Sequence, residues 1–72
     1  MKKVFKLQDL DCANCAAKME QGINNIDGVS SASVNFMSQK LIIDAEESSF
    51  DKIMKQVKKV MRKVEPGCMI LE

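Results

Sequence analysis

The stretch Phe50–Val64, FDKIMKQVKKVMRKV, carries the most regular hydrophobic pattern in the chain. Its apolar residues recur every three or four positions, which places them on one face of a helix. They are Phe50, Ile53, Met54, Val57, Val60, Met61 and Val64. Ser48 and Ser49 offer side-chain caps for the start of this helix, and Pro66-Gly67 ends it. The pattern therefore predicts a helix over residues 50–64.

Shorter apolar runs lie on both sides of this helix. Alternating or compact apolar patterns predict strands at residues 4–10, 29–35, 41–45 and 68–71, and a second helical stripe predicts a helix over 15–24. The resulting order, β-α-β-β-α-β, favours a four-stranded antiparallel sheet with both helices on one face. We therefore predict an α+β fold, the ferredoxin-like βαββαβ sandwich, built as one domain over residues 1–72.

Composition excludes several classes of function. The net charge of +1 gives no global signal for nucleic acid or an acidic membrane surface. No stretch approaches the roughly 20 apolar residues that span a bilayer, so we expect a soluble, cytoplasmic domain. Whether it is one piece of a larger transporter stays open. Three cysteines and no histidine suit a reducing compartment better than a secreted disulfide scaffold. Without histidine, an enzyme loses its commonest general base, so we expect a binding module.

Cys12 and Cys15 form a C-x-x-C motif at the predicted entrance of the first helix. A three-residue offset there brings both side chains to one side, and the free N–H groups of the helix start stabilise thiolates. Thiolates prefer soft ions such as copper(I), zinc, cadmium, lead or mercury. Two other interpretations stay open, namely a dithiol redox pair and a structural interaction module with incidental thiols. A closed zinc finger needs four ligands, and three cysteines with no histidine cannot supply them without a carboxylate or a water.

The segment 10–20, LDCANCAAKME, resembles the signature of heavy-metal-associated domains, usually glycine-methionine-x-cysteine-x-x-cysteine followed by a helix. Turns at residues 26–29 and at Pro66-Gly67 fall where that family has its own, so the resemblance covers the whole chain. Members are copper chaperones, mercury carriers and amino-terminal domains of P1B-type metal-transporting ATPases. The resemblance implies metal capture in the cytosol and delivery to a transporter by ligand exchange. It also implies the fold predicted above.

Three positions bear on the choice of metal. Asp11 directly precedes Cys12, and the aspartate-cysteine-x-x-cysteine form resembles zinc/cadmium/lead-exporting ATPases, in which a carboxylate joins the thiolates. The alternative interpretation is that Asp11 only stabilises the helix start. Leu10 replaces the family's usual methionine, a packing residue, and should conserve its volume. Cys68 lies in the loop before the last strand, which is adjacent to the first loop in this fold. It is either a third ligand or an inert small hydrophobe.

From these positions we predict a site for one soft metal ion made of Cys12, Cys15 and Cys68, with Asp11 as an optional oxygen ligand. Zn²⁺, Cd²⁺ or Pb²⁺ is the preferred ion and Cu⁺ the alternative. A transporter body or a metal chaperone is the expected partner, and an open thiolate rim also permits a metal-bridged dimer. The basic end of the second helix is either a solvated face or a docking patch for an acidic surface. It comprises Lys58, Lys59, Arg62 and Lys63.

Overall fold

A computed structural model describes residues 1–71 of the chain. Its elements follow the predicted order: β1 (Lys2–Gln8), α1 (Ala13–Asn24), β2 (Val29–Asn35), β3 (Lys40–Ala45), α2 (Phe50–Val64) and β4 (Met69–Leu71), with a short 3₁₀ turn at Glu47–Ser49. The predicted α+β, βαββαβ fold is thereby confirmed. The predicted domain range ends at Glu72, which lies outside the described residues.

The four strands form one sheet in the order β2-β3-β1-β4, and every neighbouring pair is antiparallel. Alternate strand residues face the two helices, and this interface forms the core. Its most deeply buried side chains come from both helices and from the sheet: Met19, Ile23, Leu41, Ile43, Ile53 and Val57. The stripe predicted for α2 is therefore the face that packs on the sheet. The compact run before it is the central strand β3, as expected.

Two boundaries near the first loop differ from the sequence prediction. β1 ends at Gln8 rather than at residue 10, because Asp9 adopts a left-handed backbone conformation, with φ of 63°, that turns the chain out of the sheet. α1 begins at Ala13 rather than at Cys15, since Cys12 itself is the residue that caps the helix. The first change lengthens the connection and the second shortens it, so it keeps four residues, now 9–12, and Cys15 lies inside α1. They leave Leu10 as a buried anchor inside that loop.

The start of α2 also differs in detail. Ser49 is the N-cap residue, but its side chain makes no capping hydrogen bond. The 3₁₀ turn at Glu47–Ser49 leads directly into the helix, and its own end is closed by a backbone hydrogen bond to Glu47. Asp51 lies in the first turn, where its negative charge interacts favourably with the helix dipole.

Antiparallel pairing of β1 with β4 fixes where the candidate site lies. Gln8 pairs with Met69, so the loop that follows β1 and the turn that precedes β4 meet at the same end of the sheet. This confirms the predicted proximity of the two connections. Among residues 1–71, neither helix has the length and hydropathy that crossing a bilayer requires.

Candidate metal centre

The first turn of α1 brings the two cysteines of the motif together. The backbone N–H of Cys15 donates to Cys12 Sγ across 3.3 Å. The carbonyl oxygen of Cys12 accepts from the N–H of Ala16 at 3.0 Å, which is the first hydrogen bond of the helix. Cys12 is therefore both the N-cap and one member of the sulfur pair. Both cysteines are half-buried and carry free thiols, so they can be reached from solvent.

The pKa values of the two thiols are shifted in opposite directions. A hydrogen bond from the Cys15 side chain, followed by one from the Cys15 backbone N–H, lowers the pKa of Cys12. The same interaction with Cys12, reinforced by the nearby Glu65 carboxylate, raises the pKa of Cys15 to about 12. Of the two thiols in the metal-free pair, Cys12 is therefore the one that ionises more readily, and Cys15 is the one that holds its proton more tightly. A metal cation that binds both sulfurs must displace the Cys15 proton.

A side chain from the β2–β3 connection holds the metal loop in place. Gln39 Nε2 donates to the carbonyl oxygen of Leu10 at 2.7 Å, and Gln39 Oε1 accepts from the N–H of Leu10 at 3.1 Å. The same Nε2 also donates to the carbonyl oxygen of Phe36 at 2.9 Å. No motif or spacing in the sequence points to Gln39. The structure shows that it fixes the backbone two residues before the first sulfur.

Glu65 is the second residue that sequence reasoning missed. It lies at the C-terminal end of α2, and its Oε1 accepts from the N–H of Asp11 at 3.2 Å. Its other oxygen, Oε2, is buried and accepts no hydrogen bond from residues 1–71. The carboxylate is close enough to Cys15 to raise the pKa of that thiol. An anionic oxygen with spare acceptor capacity therefore lies beside the sulfur pair, which suits a divalent cation.

The predicted accessory ligands, Cys68 and Asp11, are each hydrogen-bonded to Glu65 through the backbone N–H. Cys68 is 8% exposed and belongs to the hydrophobic core, and its N–H donates to the carbonyl oxygen of Glu65 at 3.0 Å. Burial, followed by the negative charges of Glu65, Asp9 and Asp11, raises the pKa of the Cys68 thiol. Asp11 is exposed and anchored only through its backbone N–H.

The described residues thus bring together two of the four predicted ligands. Within residues 1–71, no group of three or more Cys, Asp and Glu side chains stands ready to hold a metal ion. The pair at Cys12 and Cys15 is preformed, and a third ligand would need a side-chain rotation. Ala13 and Ala17 beside the pair are exposed and small, so the rim is open as expected, whereas Ala16 packs in the core.

Comparisons with known proteins agree with this geometry. The profile of the heavy-metal-associated domain family matches residues 4–66. A cadmium, zinc and cobalt-transporting ATPase of Bacillus subtilis is 32% identical over 66 residues, which covers 92% of this chain and 9% of the ATPase. The chain therefore spans about a tenth of the length of that relative.

Solved structures show the same fold. The N-terminal domain of ZntA in its apo form has a TM-score of 0.73 at 28% identity, covering 99% of this chain and 92% of that domain. A CopZ metallochaperone has a TM-score of 0.76 at 24% identity, covering 99% of this chain and all of that protein. The first of these is a domain of a larger protein and the second is a chaperone.

Proposed function

The chain belongs to the heavy-metal-associated domain family, and from that premise we propose that it takes up one divalent soft metal ion, zinc, cadmium or lead, and passes it to a transporter. Cys12 and Cys15 supply the two thiolates. The observation that carries the choice of a divalent ion is the Glu65 carboxylate, which raises the pKa of Cys15 and whose Oε2 is buried. Zinc-like ions take about four ligands and accept oxygen, whereas copper(I) is satisfied by two soft sulfurs.

We infer that Glu65 is the leading third ligand. Its carboxylate already interacts with Cys15, which places an oxygen ligand next to one of the two sulfurs. Cys68 stays a proposal as an alternative, because its N–H bonds to the same Glu65 and its thiol lies in the adjoining turn. Burial raises the pKa of this thiol above its usual value, so metal binding would have to displace its proton as well. Asp11 stays a proposal as a further oxygen ligand.

The role in transport follows from the same relatives. We propose that this domain is the metal-binding region of a P-type ATPase that exports zinc, cadmium or lead, on the cytosolic side. A 32% identical relative is named for cadmium, zinc and cobalt transport, which supports that class. The exposed rim around the cysteines lets an incoming thiolate displace one ligand at a time. The metal then moves by ligand exchange without ever being released to water.

The test is a set of metal affinities measured by chelator competition under anaerobic conditions. Glu65→Gln keeps an acceptor for the N–H of Asp11 but removes the charge, and Glu47→Gln is the matched control on an exposed turn. We expect Glu65→Gln to weaken zinc and cadmium binding about 10- to 100-fold. Copper(I) affinity should change far less. Cys68→Ser and Asp11→Asn measure the other two candidate ligands.

The outcomes separate the hypotheses. Equal zinc affinity in Glu65→Gln and Glu47→Gln would remove Glu65 from the site. A large loss in Cys68→Ser alone would restore the three-thiolate site. The ratio of copper(I) affinity to zinc affinity is compared with that of a two-thiolate peptide. A much higher ratio in every variant would favour the copper chaperone alternative. Reversible disulfide formation at Cys12 and Cys15 without any metal binding would favour the redox alternative.

A further inference from the structure

Asp9 combines a backbone conformation that favours glycine with a charged side chain. Its φ of 63° lies in the left-handed region. The signature that residues 10–20 resemble has its glycine at this position, one residue before Leu10. An aspartate usually enters this region when its side chain forms a local hydrogen bond. Among residues 1–71, no donor contacts the Asp9 carboxylate, so the turn by itself does not explain the charge.

Asp9 lies at the metal end of the domain. Gln8 pairs with Met69 at the end of the β1–β4 ladder, so Asp9 and Cys68 are the next residues of the two segments. Three residues of chain, which span at most about 11 Å, connect Asp9 to Cys12. After burial and the charge of Glu65, the charge of Asp9 is the next cause of the raised pKa of the Cys68 thiol. The field of the Asp9 carboxylate therefore reaches the turn beside the sulfur pair.

Zinc-like ions and copper(I) differ in what they do to the charge of the cysteine pair. Two thiols that release both protons and take up Zn²⁺ keep the same total charge, whereas with Cu⁺ the total falls by one unit. This difference of one unit does not depend on how many protons the sulfurs hold before binding. A negative charge nearby therefore favours the divalent ion over copper(I) in every protonation state of the pair.

We propose that Asp9 is a specificity-determining residue, whose exposed carboxylate favours divalent ions over copper(I) by its charge without becoming a ligand. The inference rests on the proposed function, because it concerns an ion bound by Cys12 and Cys15. At a separation of about 10 Å and an effective dielectric constant of about 50, one unit of charge changes the ratio of the two affinities about threefold. Solvent around Asp9 keeps the effect this small.

The experiment measures zinc and copper(I) affinities of the 72-residue chain by anaerobic chelator competition and compares their ratio between variants. Asp9→Asn removes the charge and retains a residue that tolerates the left-handed conformation. Asp9→Lys reverses the charge. Asp27→Asn is the matched control, since Asp27 is exposed and lies beyond the C-terminal end of α1, whose 12 residues span roughly 18 Å.

The preference for zinc over copper(I) should fall about threefold in Asp9→Asn and about ninefold in Asp9→Lys. Asp27→Asn should leave it within about 1.5-fold of the wild type, because its charge lies beyond the screening length of about 10 Å at 0.1 M salt. Raising the ionic strength to about 1 M with a non-coordinating salt shortens that length to about 3 Å. The wild type and Asp9→Asn should then show the same preference.

Asp9→Gly separates the charge from the backbone. It introduces the residue that the signature has, which adopts a φ of 63° without a steric cost. We expect the same threefold shift in metal preference as in Asp9→Asn. The urea midpoint of the metal-free protein should be no lower than that of the wild type, which shows that the shift does not come from a loosened fold.

Three results would overturn the proposal. An unchanged ratio in Asp9→Asn and Asp9→Lys would show that the charge has no influence on the choice of ion. A loss of zinc affinity greater than about tenfold that persists at high salt would identify Asp9 as a ligand. An equal shift in Asp27→Asn would show that total charge, and not position 9, is responsible. A wild-type domain that prefers copper(I) would contradict the proposed function, whereas the shift between variants would still test Asp9.

Discussion

Replacing Gln39 with alanine tests whether the metal loop is preorganised. The side chain makes three partly buried hydrogen bonds, two to Leu10 and one to Phe36. At about 1 kcal/mol each, their loss should lower the free energy of unfolding by about 3 kcal/mol. For a domain of this size that corresponds to a fall in Tm of about 10–20 °C. The backbone φ of 55° at Gln39 is equally strained with alanine, so the change isolates the side chain.

The assay is urea unfolding of the reduced, metal-free protein followed by circular dichroism, with Ser38→Ala as the control. Ser38 is exposed on the same turn, so its truncation should change the free energy of unfolding by less than about 0.5 kcal/mol. Cadmium affinity should fall about tenfold in Gln39→Ala, because the loop before Cys12 must then be ordered on binding. Equal unfolding free energies for Gln39→Ala and Ser38→Ala would refute the reasoning.

Three further predictions concern pH, the turn before β2 and the anchor of the metal loop. Cadmium affinity should rise at least about tenfold per pH unit between about pH 6 and 8. The reason is that Cys15, with its pKa raised to about 12, keeps its proton throughout that range and must release it when cadmium binds. A cadmium affinity that does not vary with pH would contradict a thiolate site. Gly28→Ala should lower the free energy of unfolding by about 2 kcal/mol. Gly28 has a φ of 94°, and an added Cβ would lie 2.9 Å from Ile53 Cδ1. A thermal denaturation curve that matches the wild type would show that the turn relaxes to accept the Cβ. Leu10→Met should change the unfolding free energy by less than about 1.5 kcal/mol and leave zinc affinity within about threefold, because the two side chains have similar volumes; a larger loss would mean that position 10 does more than pack.

Periodicity alone was enough to predict the fold. The stripe of α2 and the alternation in the strands depend on which residues face the core, and burial in the structure follows that pattern. The cysteine pair was equally predictable, because three-residue spacing at a helix start is a local property. The missed boundaries had local causes without a clear sequence signal, such as the left-handed Asp9 and the capping role of Cys12.

Gln39 and Glu65 could not be identified from the sequence. Gln39 acts on a residue 29 positions away, and Glu65 on one 54 positions away. Neither residue lies at a recognisable spacing from the C-x-x-C motif, so only the folded structure brings the two residues to the loop before Cys12. Cys68, by contrast, was predicted to be near the site from topology. The structure confirms that the turn before β4 and the loop after β1 lie at the same end of the sheet. The role of Cys68 as a ligand stays a proposal.

The central claim is that Cys12 and Cys15 together hold one divalent soft metal ion. An anaerobic cadmium titration of the reduced protein, followed by thiolate-to-metal absorption, counts both the ions and the sulfurs. We predict saturation at one cadmium per chain with two thiolates bound, and no tight binding in Cys12→Ser or Cys15→Ser. A three-thiolate signal would assign Cys68 to the site in place of Glu65. Absence of saturable binding by the wild-type chain would contradict the account.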